Sequence, residues 1–232
     1  MNSLLNAALL SLAFLALFGT SEFIYRVFKT EAEATRKFVH IGTGLLTLLF
    51  PILLNSHWYV LALCASFLLI LIVSLKFRFL PSINKIDRVS RGSLYYPIIV
   101  YLVFVVYEWK SELIGVPDFL YFYLPVLTMA LCDPLAAFVG SRWPLKKIVL
   151  NQDSKSIGGC LAFFVGAFLL SIFLHQELRQ TPLGEPVVLS SLLIAFFAMI
   201  SEAISRKGAD NFFIPLTVSV LLIIGDLFIV FT

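Results

Sequence analysis

Residues 57–75 read HWYVLALCASFLLILIVSL, nineteen positions without a single Asp, Glu, Lys or Arg. At 1.5 Å per residue, a helix of about that length crosses the ~30 Å hydrocarbon core of a bilayer. Working outward, comparable apolar runs cover roughly 4–25, 38–54, 94–109, 118–139, 157–175, 187–205 and 211–231. The period-two alternation of barrel strands is absent, so the spans are expected to be helices, which satisfy their own backbone hydrogen bonds in lipid. The expected fold is all-α and polytopic, with about eight transmembrane helices, or seven if 38–75 divides differently. The first run lacks a basic leader and reads as a retained span rather than a cleaved signal.

Composition agrees. Of 232 residues, 60% are hydrophobic and 13% charged, and the mean hydropathy is +0.97. A soluble fold of this size cannot hide so much apolar surface. This excludes an ordinary soluble enzyme, a disordered chain and a nucleic-acid-binding domain. The spans leave no room for a separate soluble domain, so residues 1–232 read as one integral membrane domain. Cys64, Cys132 and Cys160 are odd in number and lack CxxC spacing, so they read as small buried residues.

The basic residues order the spans. Fifteen of the seventeen Lys and Arg fall in four alternate loops, 26–37, 76–93, 140–156 and 206–210. The other loops hold only Lys110 and Arg179. The positive-inside rule places those four loops in the cytoplasm and both termini outside. Pro97, Pro125 and Pro215 fall inside spans, where each removes a backbone donor and can bend its helix.

An ionisable group inside a span costs a few kcal/mol and needs a reason. By parity, Asp133, Glu202 and Asp210 come from three helices to one depth on the cytoplasmic side, a hard-oxygen set suited to Mg2+. Asp226 lies near the outer end and reads as interfacial or paired. Arg36, Lys37 and His40 share one helical face. Lys155-Ser156-Ile157-Gly158-Gly159 opens a helix whose backbone N–H groups and positive dipole could cradle phosphate. Asp210 and Asn211 open the last span, Arg91 and Gly92 precede the fourth after Asp87 and Arg88, and Glu202 and Arg206 are spaced to pair. Cations, helix N-termini and carboxylates together suit nucleotide-dependent phosphoryl transfer, and an acceptor entering from the bilayer would be a lipid alcohol.

Several stretches resemble the CTP-dependent lipid alcohol kinases, a family that includes dolichol kinase, phytol kinase and fungal-type diacylglycerol kinase. They are Arg36-Lys37-Phe38-Val39-His40-Ile41-Gly42, Arg91-Gly92 through Tyr96-Pro97, and Asp133-Pro134-Leu135-Ala136-Ala137-Phe138-Val139-Gly140. Lys155 to Gly159 and Glu202 to Pro215 follow in family order, so the likeness spans roughly residues 36–216. The resemblance implies transfer of the γ-phosphate of CTP to a membrane alcohol with a divalent metal. On that reading Asp133, His40 and Lys155 are catalytic. Arg36, Lys37, Arg91, Lys155, Ser156, Gly158, Gly159 and Asn211 bind nucleotide or phosphate, and Asp133, Glu202 and Asp210 hold Mg2+. The implied partners are CTP, a lipid alcohol (polyprenol, phytol or diacylglycerol) and membrane lipids, with no nucleic acid. The active site would face the cytoplasm. The chain departs from the family pattern K-[ST]-x-E-G-[ST], with Gly158 at the acidic position and Cys160 at the hydroxyl position, and Pro144 stands where glycine is frequent.

Two other readings fit the composition. A phosphatidate cytidylyltransferase needs the same metal, phosphate and lipid access, but its long signature is not found here. A transporter or non-catalytic scaffold would also carry intramembrane acids, although these sit at one face rather than in a relay across the bilayer.

Overall fold

The computed structural model describes residues 2–77, 79–84, 91–150 and 153–230. Long helices dominate them: α1 (Ser3–Val27), α2 (Ala32–Thr47), α4 (His57–Phe77), α6 (Gly92–Ile114), α9 (Ile157–Arg179), α10 (Glu185–Ile204) and α11 (Asp210–Val230). Two short helices, α3 (Phe50–Leu53) and α5 (Pro81–Asn84), extend or follow these. One further rod is built in three pieces: α7 (Leu120–Leu127), a π-helical turn (Thr128–Cys132) and α8 (Asp133–Arg142). The fold is that of an all-α polytopic membrane protein. Among the described residues, six helices are long and apolar enough to cross a membrane: Ser3–Val27, Ala32–Leu53, His57–Phe77, Leu120–Arg142, Ile157–Arg179 and Glu185–Ile204. With 23 and 21 residues, α6 and α11 have spanning length too.

Local chemistry sets the ends. The Asn2 side chain accepts from the Leu4 N–H to start α1, and Ser156 does the same for Gly159 in α9. Gly115, at φ +82°, closes α6 in the left-handed conformation that glycine adopts without strain. In loop 140–156 the described residues form an antiparallel pair, β1 (Lys147–Leu150) with β2 (Asp153–Ser156).

The surface is apolar, unlike that of a soluble protein, and the largely apolar interior also carries hydroxyls. Leu69, Phe138 and Phe173 stand exposed where lipid would lie, while Ser21, Ser171 and Ser191 are fully buried. Lipid tails are as apolar as leucine, so close backbone approach and buried hydrogen bonds hold the helices together. Ser171 donates to Ser191 at 2.9 Å, joining α9 to α10. A Cβ on Gly44 would come within 2.3 Å of the Ala130 Cβ, so glycine lets α2 lie against the π turn.

The centre is α7, where Leu120, Tyr121, Phe122, Leu124 and Val126 are wholly buried. Around it α1, α2, α4 and α6 form one side, and α8, α9, α10 and α11 the other. Pro97, Pro125 and Pro215 lie inside α6, α7 and α11 as expected, and Pro125 precedes the π turn by three residues.

At one end of the bundle, Arg179 bonds Asp118 at 2.7 and 3.0 Å and Asp226 at 2.9 and 3.0 Å. Tyr121 donates to Asp226 at 2.5 Å, and the buried Lys110 ammonium lies 5.0 Å over the Tyr121 ring. Asp226 is thus paired in the bundle. The two basic residues outside the alternate loops, Lys110 and Arg179, are both neutralised in this cluster.

Candidate active site

The other end of the bundle gathers the ionisable residues expected at the site. A polar cavity of about 390 Å³ is lined by Arg36, Lys37 and His40 of α2, Asp133 of α8, Lys155 and Ser156 of β2, Glu202 of α10 and Asp210 of α11. The three carboxylates expected to meet at one depth do share this cavity. Within it, Lys155 pairs with the buried Glu202 and lies 3.8 Å from Asp210. Burial alone would lower the Lys155 ammonium, but the Glu202 and Asp210 carboxylates outweigh it and hold the group above the ordinary lysine range. Arg36 makes a two-point contact with Glu33, at 2.7 and 3.1 Å. The Asp133 carboxylate has no hydrogen bond or ion pair among the described residues.

A second cavity, of about 290 Å³, lies between α1, α2, α4 and α6. Its walls are apolar and aromatic, with Phe14, Phe18, Phe50, Phe67 and Val100 prominent. Arg36 and His40 line both cavities, so the two spaces share those side chains as a wall.

Backbone chemistry fixes His40. Its Nε2–H donates to the Met129 carbonyl at 3.1 Å. In a π turn that carbonyl looks to the residue five ahead, which is Pro134, and proline has no N–H. The Met129 oxygen is therefore left for histidine. With Nε2 carrying the hydrogen, Nδ1 of the neutral ring is the lone-pair nitrogen. Tyr96 packs edge-on to the ring at 5.2 Å and donates its hydroxyl to the His40 carbonyl at 3.3 Å.

Several expected residues sit elsewhere. Arg91 is exposed outside both cavities, and its backbone N–H bonds the Lys207 carbonyl at 2.8 Å. Asn211 is buried but lines the apolar cavity, beside Gly92, where a Cβ would meet its Nδ2 at 2.7 Å. Gly159 lines the polar cavity and Gly158 does not. The expected phosphate cradle of free N–H groups is not free. Ile157 N–H bonds Lys146 O, Gly158 N–H bonds Pro144 O and Gly159 N–H bonds Ser156 Oγ. Gly158 instead serves close packing, because a Cβ there would lie 2.0 Å from the Trp143 carbonyl oxygen. Glu202 pairs with Lys155 rather than Arg206, since α10 ends at Ile204 and Arg206 is exposed beyond it. Asp87 and Arg88 lie outside the described residues.

Sequence reasoning missed Glu33, Lys147, Lys207 and Cys160 as lining residues. Glu33, three before Arg36, carried the helical pairing signal. Cys160 stands at the family's hydroxyl position, while Lys147 and Lys207 belong to the basic loops and to no motif.

The chain is 34% identical over 199 residues to the phytol kinase of Synechocystis sp., covering 85% of this chain and 81% of that protein. This chain belongs to the lipid alcohol kinase family. No family model matches it, and no solved structure does. In this member of the lipid alcohol kinases, the family-like stretches around Arg36, Asp133, Lys155 and Asp210 converge on one polar cavity. The departures also converge. Gly158 and Pro144 are hydrogen-bonded to each other, so the missing acid and the missing glycine belong to one local packing solution.

Proposed function

We propose that this protein is a membrane kinase that transfers the γ-phosphate of a nucleoside triphosphate, CTP by family resemblance, to the hydroxyl of a lipid alcohol. The observation that carries this reading is the shared wall. A polar, ion-rich cavity and an apolar, aromatic one meet at Arg36 and His40. A phosphoryl donor suits the first and a hydrocarbon chain the second, which brings the acceptor hydroxyl to the boundary.

Lys37, Lys147 and Lys155 bind the donor's phosphates, with Ser156 and Gly159 forming the floor beneath them. Arg36 exchanges Glu33 for a phosphoryl oxygen at the boundary, where its planar fork matches two oxygens at once. His40, held by the Met129 carbonyl, packs beside the acceptor oxygen and orients it so that the hydroxyl hydrogen points to Asp133. Asp133, unpaired and facing the same cavity, accepts the hydroxyl proton as the new P–O bond forms and CDP departs. A loose transition state asks more of positioning and charge than of a strong base.

The donor set fits magnesium. Among the described residues no three His, Cys, Asp or Glu side chains form a ready metal cage. Magnesium needs none, because it takes one or two carboxylates with phosphates and water as the remaining ligands. Asp133 and Asp210 would hold it, and Glu202 would orient Lys155 instead. When bound, the metal would neutralise phosphate charge. The eight long helical segments are read as spans, both termini as outside and the polar cavity as open to the cytoplasm, on the distribution of basic residues.

The test is a matrix of nucleotides against lipid alcohols with both products identified. The reading predicts a lipid monophosphate and CDP. Release of pyrophosphate with a CDP-lipid would mark a cytidylyltransferase instead. Substrate flux in sealed vesicles without nucleotide turnover would mark a transporter.

A further inference from the structure

We propose that the apolar cavity measures the acceptor's hydrocarbon chain, with Phe50 as its floor. This rests on the reading that the cavity holds the acceptor. The lining residues step along the helices in single turns. On α4 the wall runs Leu75, Leu71, Phe67 and Leu63. On α2 it runs His40, Thr43 and Thr47 before Phe50 in α3. The cavity is therefore a slot parallel to the helices. From Leu75 to Leu63 is about 18 Å of uninterrupted helix, which an extended chain with ~1.5 Å C–C bonds covers in about fourteen carbons.

The two ends differ in kind. Arg36, His40 and Asn211 make one end polar. Phe50, 1% exposed, makes the other aromatic. Its ring meets Phe14 edge-on at 6.0 Å and stacks on Phe122 at 6.4 Å. Phe122 is itself fully buried and edge-on to Phe104 at 5.6 Å. A floor backed by packed aromatic rings does not yield, because interiors at this density have no spare volume. One polar end fixes which way the alcohol enters, and one rigid end fixes how much chain fits.

The test uses full-length protein in detergent, γ-labelled CTP and a ladder of single-chain primary alcohols. The wild type should gain kcat/KM with each carbon up to about fourteen to sixteen and lose about tenfold beyond. Phe50→Ala should move that optimum longer by about four carbons, one ring's reach. Thr47→Phe should move it shorter by about four, one helical turn. Retained turnover of the shortest alcohols by Thr47→Phe shows that this variant folds. A wild-type profile that rises to a plateau means the tail leaves sideways into lipid and overturns the proposal. An optimum unmoved in either folded variant overturns it as well. Absence of transfer to every alcohol by the wild type overturns the kinase reading and this inference together, whereas active protein with an unmoved optimum overturns only the inference.

Discussion

The His40 ring donates to the carbonyl of Met129, 89 residues away, across a 3.1 Å hydrogen bond. The acceptor oxygen is available because a π turn shifts the pairing by one residue and Pro134 has no N–H to offer. Pro134→Ala restores that donor. The released ring should lower kcat about tenfold while KM for the nucleotide changes less than about twofold, since one hydrogen bond's hold is at stake. Steady-state kinetics with nucleotide and acceptor varied in turn measure this. A raised nucleotide KM with unchanged kcat would count against a positioning role.

Lys155 and Glu202 form a buried pair, and such pairs are costly to break from one side only. Lys155→Met leaves Glu202 uncompensated and should cost about 3 kcal/mol of stability. The double variant Lys155→Met with Glu202→Gln should recover most of the thermal stability and none of the activity. Recovery of label transfer in the double variant would show that Lys155 is structural.

The departure at Gly158 is steric. Gly158→Glu restores the family's acid but drives a Cβ to 2.0 Å from the Trp143 carbonyl. It should lower the melting temperature and abolish activity, because strain in a packed segment costs about 1–3 kcal/mol. Pro144→Gly in the same chain should relieve part of the loss. Full stability of the single variant would contradict the packing account.

The ionic cluster at the far end is a control. Arg179→Met leaves Asp118 and Asp226 without their shared cation and should cost about 3 kcal/mol. Protein that remains folded should keep its kcat, because the cluster lies at the end opposite the polar cavity. Thermal melts and label transfer on one preparation test both halves.

Much of this was legible in the sequence, for physical reasons. The run 57–75 becomes His57–Phe77, because length and apolarity suffice to mark a helix in lipid. Asp133, Glu202 and Asp210 share one cavity, as helix direction and charge parity required. Lys110 and Arg179 broke the charge rule, and the structure explains them as partners of Asp226. What stayed hidden depends on hydrogen bonds that periodicity does not encode. Thr128–Cys132 keeps an apolar helical pattern while pairing five ahead. Lys147–Leu150 and Asp153–Ser156 are too short and too mixed to read as strands. Gly158 and Gly159 look like a phosphate cradle, yet their N–H groups are taken by Pro144 and Ser156.

The proposed phosphoryl transfer to an alcohol lying across the Arg36–His40 wall depends most on Asp133, unpaired in the polar cavity. The direct measurement is transfer of label from γ-labelled CTP to a lipid alcohol by purified wild type and by Asp133→Asn, with matched melting curves. The expected result is a labelled lipid phosphate from the wild type and a loss of about a thousandfold or more in the variant, on the order of 4 kcal/mol of transition-state stabilisation. Label transfer by folded Asp133→Asn at the wild-type rate would contradict it.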